Sequence, residues 1–143
     1  MTGPTRDTIL YEGDLYDIVD VNGDGMITPN MYNMYPGYIS KDCKRDYISK
    51  YVLLDGFLLL ADMQIGPLTG ETPKRIQGKT PDESNTYRDA NVWSRFTGSL
   101  RIARNPKKNS TEQASADADL QYETTLDILF QDGEFLLARD ISK

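Results

Sequence analysis

The chain predicts a mainly β protein: an antiparallel, hairpin-built sandwich or partly open barrel of six to seven strands with one or two short helices. Three observations carry that expectation. Residues 51–60 and 127–138 each place Asp-Gly between apolar arms. This is the strongest short-range hairpin signal, because a type I′ turn needs positive φ at both central residues and glycine adopts it without steric cost. A weaker copy spans residues 10–18, with its turn centred on Glu12-Gly13 or on Gly13-Asp14. Elsewhere short apolar stretches alternate with Gly, Pro, Asn and Asp, the punctuation of strands rather than long helices. A length of 143 residues fits one domain over 1–143, large enough to bury about two-thirds of its unfolded surface.

Taken in order, residues 9–21 alternate as a strand pair until Asp20-Val21-Asn22-Gly23-Asp24-Gly25 breaks the pattern. Thr28-Pro29 then reads as a helix start, Thr as N-cap and Pro at the first helical position, where its missing N–H is not needed. Met31, Met34 and Tyr35 share a face of this short helix before Pro36-Gly37 ends it. Pairing across Asp55-Gly56 puts Val52, Leu54, Phe57 and Leu59 on one face and Tyr51, Leu53, Leu58 and Leu60 on the other. Both are apolar, which predicts central strands covered on both sides. Residues 66–91 form a long polar loop, and Trp93, Phe96, Leu100 and Ile102 resume strand character, bent at Gly98. Residues 104–121 form a second polar loop, within which Ser110-Thr111-Glu112-Gln113 reads as a capping box opening a short helix to Leu120. In the closing hairpin, Ile128, Phe130, Phe135 and Leu137 share one face, and Asp127, Leu129, Leu136 and Ala138 the mixed one.

Composition excludes several chemistries. The chain has no histidine and one cysteine, Cys43. That removes Ser-His-Asp and Cys-His catalysis, His-ligated metals, Cys/His zinc sites and an intramolecular disulfide. Lys41, Lys44 and Arg45 would activate the Cys43 thiol, but Asp42 and Asp46 offset them and no base is at hand. The N-terminus lacks the pattern of a signal peptide, and no run approaches the ~18 apolar residues of a membrane helix. The expectation is a soluble, reduced, cytoplasmic protein without a membrane partner.

The net charge is −6, and its acidity is local. Residues 109–138 hold Glu112, Asp117, Asp119, Glu123, Asp127, Asp132 and Glu134 and no Lys or Arg, while the rest of the chain is balanced. Such a face disfavours nucleic acid and suits a basic protein partner or a cation.

Two candidate sites follow. Asp20, Asn22 and Asp24 occupy the first three side-chain ligand positions of an EF-hand-like calcium loop, with Gly25 at the sharp turn, Met26 offering a carbonyl and Ile27 at the apolar position. The closing position, which should be a bidentate acid, is Met31, so calcium binding there would be weak. The second is a partner surface. Met31, Tyr32 and Tyr35, with Met34 and Tyr38 nearby, supply the adaptable contact area typical of binding surfaces. Asp117, Asp119, Glu123 and Glu134 supply the acidic part. No spacing among the 22 acids singles out a catalytic pair.

Tyr11-Glu12-Gly13 with Tyr16, Arg45-Asp46-Tyr47-Ile48, Phe96-Thr97-Gly98-Ser99-Leu100-Arg101-Ile102 and the closing Asp132-Gly133 hairpin resemble, in this order, a set of short uncharacterised bacterial proteins. Lys44, Asp46 and Tyr51 depart from the Trp, Gly and Trp usual in that set. The resemblance implies a small, largely β, intracellular domain, with no activity or site to carry over. The leading functional expectation is a non-enzymatic small bacterial interaction or accessory protein, of the immunity-like kind. The alternatives are weak calcium binding at residues 20–31 and a carboxylate enzyme or small-ligand-binding barrel.

Overall fold

The computed structural model of the protein describes residues 6–106 and 122–142. All three glycine-centred turns adopt the left-handed backbone that the hairpin argument requires. Glu12 and Gly13 have φ of 52° and 85°, Asp55 and Gly56 of 52° and 83°, and Asp132 and Gly133 of 52° and 82°. Each loop holds two residues, closed by the pairs Tyr11–Asp14, Leu54–Phe57 and Gln131–Glu134, so the first turn is centred on Glu12-Gly13. These hairpins are β1 (Thr8–Tyr11) with β2 (Asp14–Asp24), β3 (Tyr47–Leu54) with β4 (Phe57–Ile65), and β8 (Tyr122–Gln131) with β9 (Glu134–Asp140). Short β5 (Thr86–Tyr87) and β6 (Val92–Trp93) and long β7 (Thr97–Pro106) complete the strands among the described residues.

Seven strands close a barrel in the order β1–β2–β7–β8–β9–β4–β3, with β3 returning to β1. Strictly alternating directions need an even number of strands, so a ring of seven must contain a parallel pair. That pair is β1 with β3, from Thr8 opposite Lys50 to Leu10 opposite Val52. The fold is therefore mainly β and a closed barrel, with β5 and β6 added along β4.

Closure is narrow. The sole paired position between β9 and β4 is Phe57 opposite Glu134. Around it the tips of the two Asp-Gly hairpins clasp each other: the Leu58 N–H donates to the Gly133 carbonyl and the Phe135 N–H to the Gly56 carbonyl, both at 2.8 Å. The Gly133 N–H also donates to the Phe96 carbonyl at 2.8 Å, and Ser94 N–H donates to the Leu58 carbonyl at 2.9 Å. The turn that ends one hairpin thus supplies partners to two other segments, β4 and the stretch leading into β7.

Inside, Ile9, Leu58, Leu60, Leu100, Ile102 and Ile128 are fully buried. A chain of rings crosses the interior, Phe96 to Phe130 to Phe135 to Tyr11 to Tyr16, with centroids 6.0–6.4 Å apart. This is the range of favourable aromatic contacts. The segment after β2 packs across this core: Ile27 is buried, and its N–H donates to the Tyr51 hydroxyl at 3.0 Å. Burial pushes the Tyr51 phenol well above its ordinary value, keeping it neutral.

Several expectations are corrected. β2 does not break at Asp20 but runs to Asp24 along β7, with a bulge at Val19. The helix after Thr28-Pro29 is a single 3-10 turn, Pro29–Tyr32, stopped by Asn33 at φ 59°, and the Thr28 side chain makes no cap bond. Met34 is fully buried while Met31 and Tyr35 are exposed, so they do not share a face. In the closing hairpin a bulge at Leu136 flips the register, placing Leu137 opposite Leu129 and Ala138 opposite Ile128. Residues 66–91 are not merely a polar loop: Ile76, Tyr87 and Ala90 are buried in the core cluster, and the Tyr87 hydroxyl donates to the Lys74 carbonyl at 2.5 Å. Strand β7 extends to Pro106, and the helix expected from Ser110 lies outside the described residues.

The seam separates two glycines of nearly equal φ. A methyl group on Gly56 would meet nothing within 4 Å, whereas one on Gly133 would collide with the Ser94 carbonyl and the Trp93 ring. Gly56→Ala should cost about 1 kcal/mol of backbone strain. Gly133→Ala should add about 1–3 kcal/mol of overpacking to that. Urea unfolding of both variants measures the difference; equal losses would show that the seam tolerates the methyl group.

Candidate functional site

The residues singled out from sequence are dispersed. Asp20, Asn22 and Asp24 lie on extended β2, opposite Arg101, Ser99 and Thr97 of β7. On a strand, residues two apart are separated by about 6.6 Å, whereas the ligands of a calcium loop curl around one point. Among the described residues no group of three or more Cys, Asp or Glu is placed to hold a metal ion. Met31, Tyr35 and Tyr38 are exposed beside the 3-10 turn, and Tyr32 is half-buried against the core. Asp117 and Asp119 lie outside the described residues. Glu123 and Glu134 are both exposed but stand at opposite ends of the β8–β9 hairpin, and so do not form one acidic face.

The acidity of the closing hairpin is instead neutralised from neighbouring strands. Arg101 of β7 grips Asp127 with two hydrogen bonds of 2.9 and 3.2 Å. Asp20 is opposite Arg101, and Arg139 is opposite Asp127. The row Asp20–Arg101–Asp127–Arg139 is a cross-strand ladder of alternating charge on the outside of β2, β7, β8 and β9. The Arg101 guanidinium holds the Asp127 carboxyl below its usual value. Asp132 is similarly matched, by Arg95 at 3.1 Å. This side of the barrel presents balanced charge to solvent, with Leu136 and Leu137 of β9 exposed singly beside it.

The opposite side is apolar. Leu15 pairs with Leu10, Leu10 with Val52, Val52 with Leu59 and Leu59 with Trp93. These registers line up five apolar residues across β2, β1, β3, β4 and β6, a row about 19 Å long at ~4.8 Å per strand. Leu54 and Phe57, paired at the tip of the β3–β4 hairpin, extend it by a second row. Relative exposures are 51% for Leu15, 52% for Leu54 and 39% for both Phe57 and Trp93. On the outer face of the β3–β4 hairpin Leu54 and Phe57 are therefore exposed and Val52 and Leu59 half-buried, which corrects the expectation that both its faces are covered. Single exposed apolar side chains are ordinary; a contiguous set in strand register is not.

At one end of this face sits the chain's only tryptophan. The Phe57 ring meets Trp93 edge to face at 5.7 Å, and the Arg95 guanidinium lies 3.8 Å over the indole. Arg95 is held in turn by Asp132, whose N–H donates to the Thr97 hydroxyl at 2.8 Å. Beneath the indole is Gly133, where no side chain fits. Trp93 is thus fixed by the barrel seam itself, a rigid aromatic anchor on ordered strands. Trp, Arg and Phe packed in this way are the residue types that dominate binding energy at protein interfaces.

Leu54 and Phe57 were legible in the sequence as an apolar face expected to be covered, whereas Leu10, Leu15, Trp93 and Arg95 were not singled out as surface. The available signal was an imbalance: a hairpin apolar on both faces in a chain with no long amphipathic helix or second sheet to cover the outer one. Comparison with protein-family models, with curated proteins and with solved structures finds no match.

Strand geometry also makes a prediction about residues 20–24. Calorimetric titration with calcium should give no heat that Asp24→Ala removes. A micromolar calcium isotherm lost in that variant would mean that the strand end refolds around an ion.

Proposed function

We propose that this protein works by binding, as a non-enzymatic interaction or accessory module that docks a protein partner on the apolar outer face of β1, β3, β4 and β6. The observation that carries this reading is the contrast between the two sides of one barrel. The ladder Asp20–Arg101–Asp127–Arg139 satisfies its own charges. The row Leu15–Leu10–Val52–Leu59–Trp93 is exposed at its two ends and half-buried at Leu10, Val52 and Leu59 between them, with Leu54 and Phe57 exposed beside it. Covering such surface gains roughly 25 cal/mol per Å², and Trp93 gives the contact a preformed anchor with little side-chain entropy left to lose.

Leu54 and Phe57 point away from the core, so polar replacements there should leave the fold intact. Affinity capture from the native host, quantified by mass spectrometry, should find a partner that Leu54→Lys and Phe57→Lys each deplete by at least about tenfold, as expected for residues at the centre of an interface. Glu123→Gln should retain it. The same partners at the same abundance in all four samples would refute the reading.

A further inference from the structure

We propose that the occupant of this face is a basic protein surface, an apolar centre rimmed by Lys or Arg. The inference rests on reading the face as a contact surface and concerns the charge that surrounds it. Alongside the apolar row runs a polar one, Asp17–Thr8–Lys50–Asp62, in the same registers across β2, β1, β3 and β4. On the opposite flank Glu134 stands directly across from Phe57, and Asp55 follows Leu54 in the turn. Glu12 occupies the β1–β2 turn beside Leu10 and Leu15.

The cations nearby do not balance these acids. Among the described residues, none of Glu12, Asp17, Asp55, Asp62 and Glu134 makes a salt bridge. Lys50 faces Asp62 across the β3–β4 register, and the Asp17 carboxylate accepts from the Tyr122 hydroxyl at 3.2 Å. Arg95 is already shared between Asp132 and the Trp93 ring, so the excess of negative charge lies with Glu12, Asp55 and Glu134. The acids on the far side are matched by Arg101 and Arg139, whereas the rim of the apolar face is left negative. A net acidic rim around a desolvating centre selects for a partner of opposite charge and speeds its approach. It also disfavours the other occupants of an apolar face. A second copy would bring the same acidic rim against itself, and an anionic membrane would be repelled.

Trp93, as the only tryptophan, reports this face alone. The probes are three short peptides without aromatic residues that alternate Leu with Lys, with Gln or with Glu, titrated into the full chain while Trp93 emission is followed. The Lys–Leu peptide should perturb Trp93 at least about tenfold more tightly than the Gln–Leu peptide, and weaken as salt rises from about 50 to 300 mM. Glu134→Lys combined with Asp55→Lys should weaken Lys–Leu binding about tenfold, and Glu123→Lys on the other side should change it less than about twofold. Circular dichroism checks that each variant is folded. Equal or tighter binding of the Gln–Leu or Glu–Leu peptide would overturn the basic partner while leaving the contact face standing. No effect of any peptide on Trp93 would remove both. Equal loss in Glu123→Lys would mean non-specific attraction, and a dimer in sedimentation velocity that Leu54→Lys dissociates would assign the face to a second copy; either result overturns the proposal.

Discussion

The barrel exists because two hairpin tips hold each other. Every other neighbouring pair in the ring is joined by a ladder of registered residues, but β9 and β4 meet at one position, Phe57 opposite Glu134. Two hydrogen bonds, Leu58 to Gly133 and Phe135 to Gly56, complete the circle. Each is worth roughly 1 kcal/mol net, so the seam is not strong by itself. Its effect is geometric. It brings the two Asp-Gly turns into contact, aligns Phe130 and Phe135 with the ring chain inside, and seats Trp93 over Gly133 outside.

The same seam connects fold to surface. Because the β3–β4 tip is engaged by the β8–β9 tip, Leu54 and Phe57 are held at the rim of the barrel. Trp93 ends β6 and Arg95 lies in the short link from β6 to β7, pinned by the Ser94 bonds to Leu58 and Gly25. An aromatic anchor is rigid when its backbone is, and this backbone is bonded to both sides of the closure. Charge then differs around the barrel, satisfied by Arg101 and Arg139 on one side and left acidic around the apolar row on the other. One device, strand register, places both patterns.

What could be read from sequence was local. Asp-Gly at two sites placed two turns, and Gly13 marked a third whose centre stayed open between Glu12-Gly13 and Gly13-Asp14; with them came the pairing nearest each turn and the β class of the fold, since turn conformation depends on the two residues themselves. The bulges at Val19, Ala61 and Leu136 escaped the alternation argument because a single extra residue leaves no compositional trace, and the one at Leu136 reversed the assignment of Leu137 and Ala138. The parallel β1–β3 pair and the meeting of the two tips are long-range and follow from ring closure. The site was harder. Val52, Leu54, Phe57 and Leu59 were legible as an apolar face, but hydrophobicity signals surface that gains from cover and says nothing about whether the same chain provides it. The local run of acids misled for the opposite reason, since Arg101 and Arg95, distant in sequence, neutralise Asp127 and Asp132.

If the seam is the constraint on which the barrel depends, it cannot open while the barrel stays folded. Native-state hydrogen exchange at the Leu58, Gly133 and Phe135 amides tests this most directly, against the amides of Leu100 and Ile128 in the β7–β8 core as reference. The account predicts that all five exchange through global unfolding, with the same free energy and the same dependence on denaturant. Exchange of the three seam amides at a markedly lower free energy, with Leu100 and Ile128 still protected, would show that the barrel persists open and would contradict it.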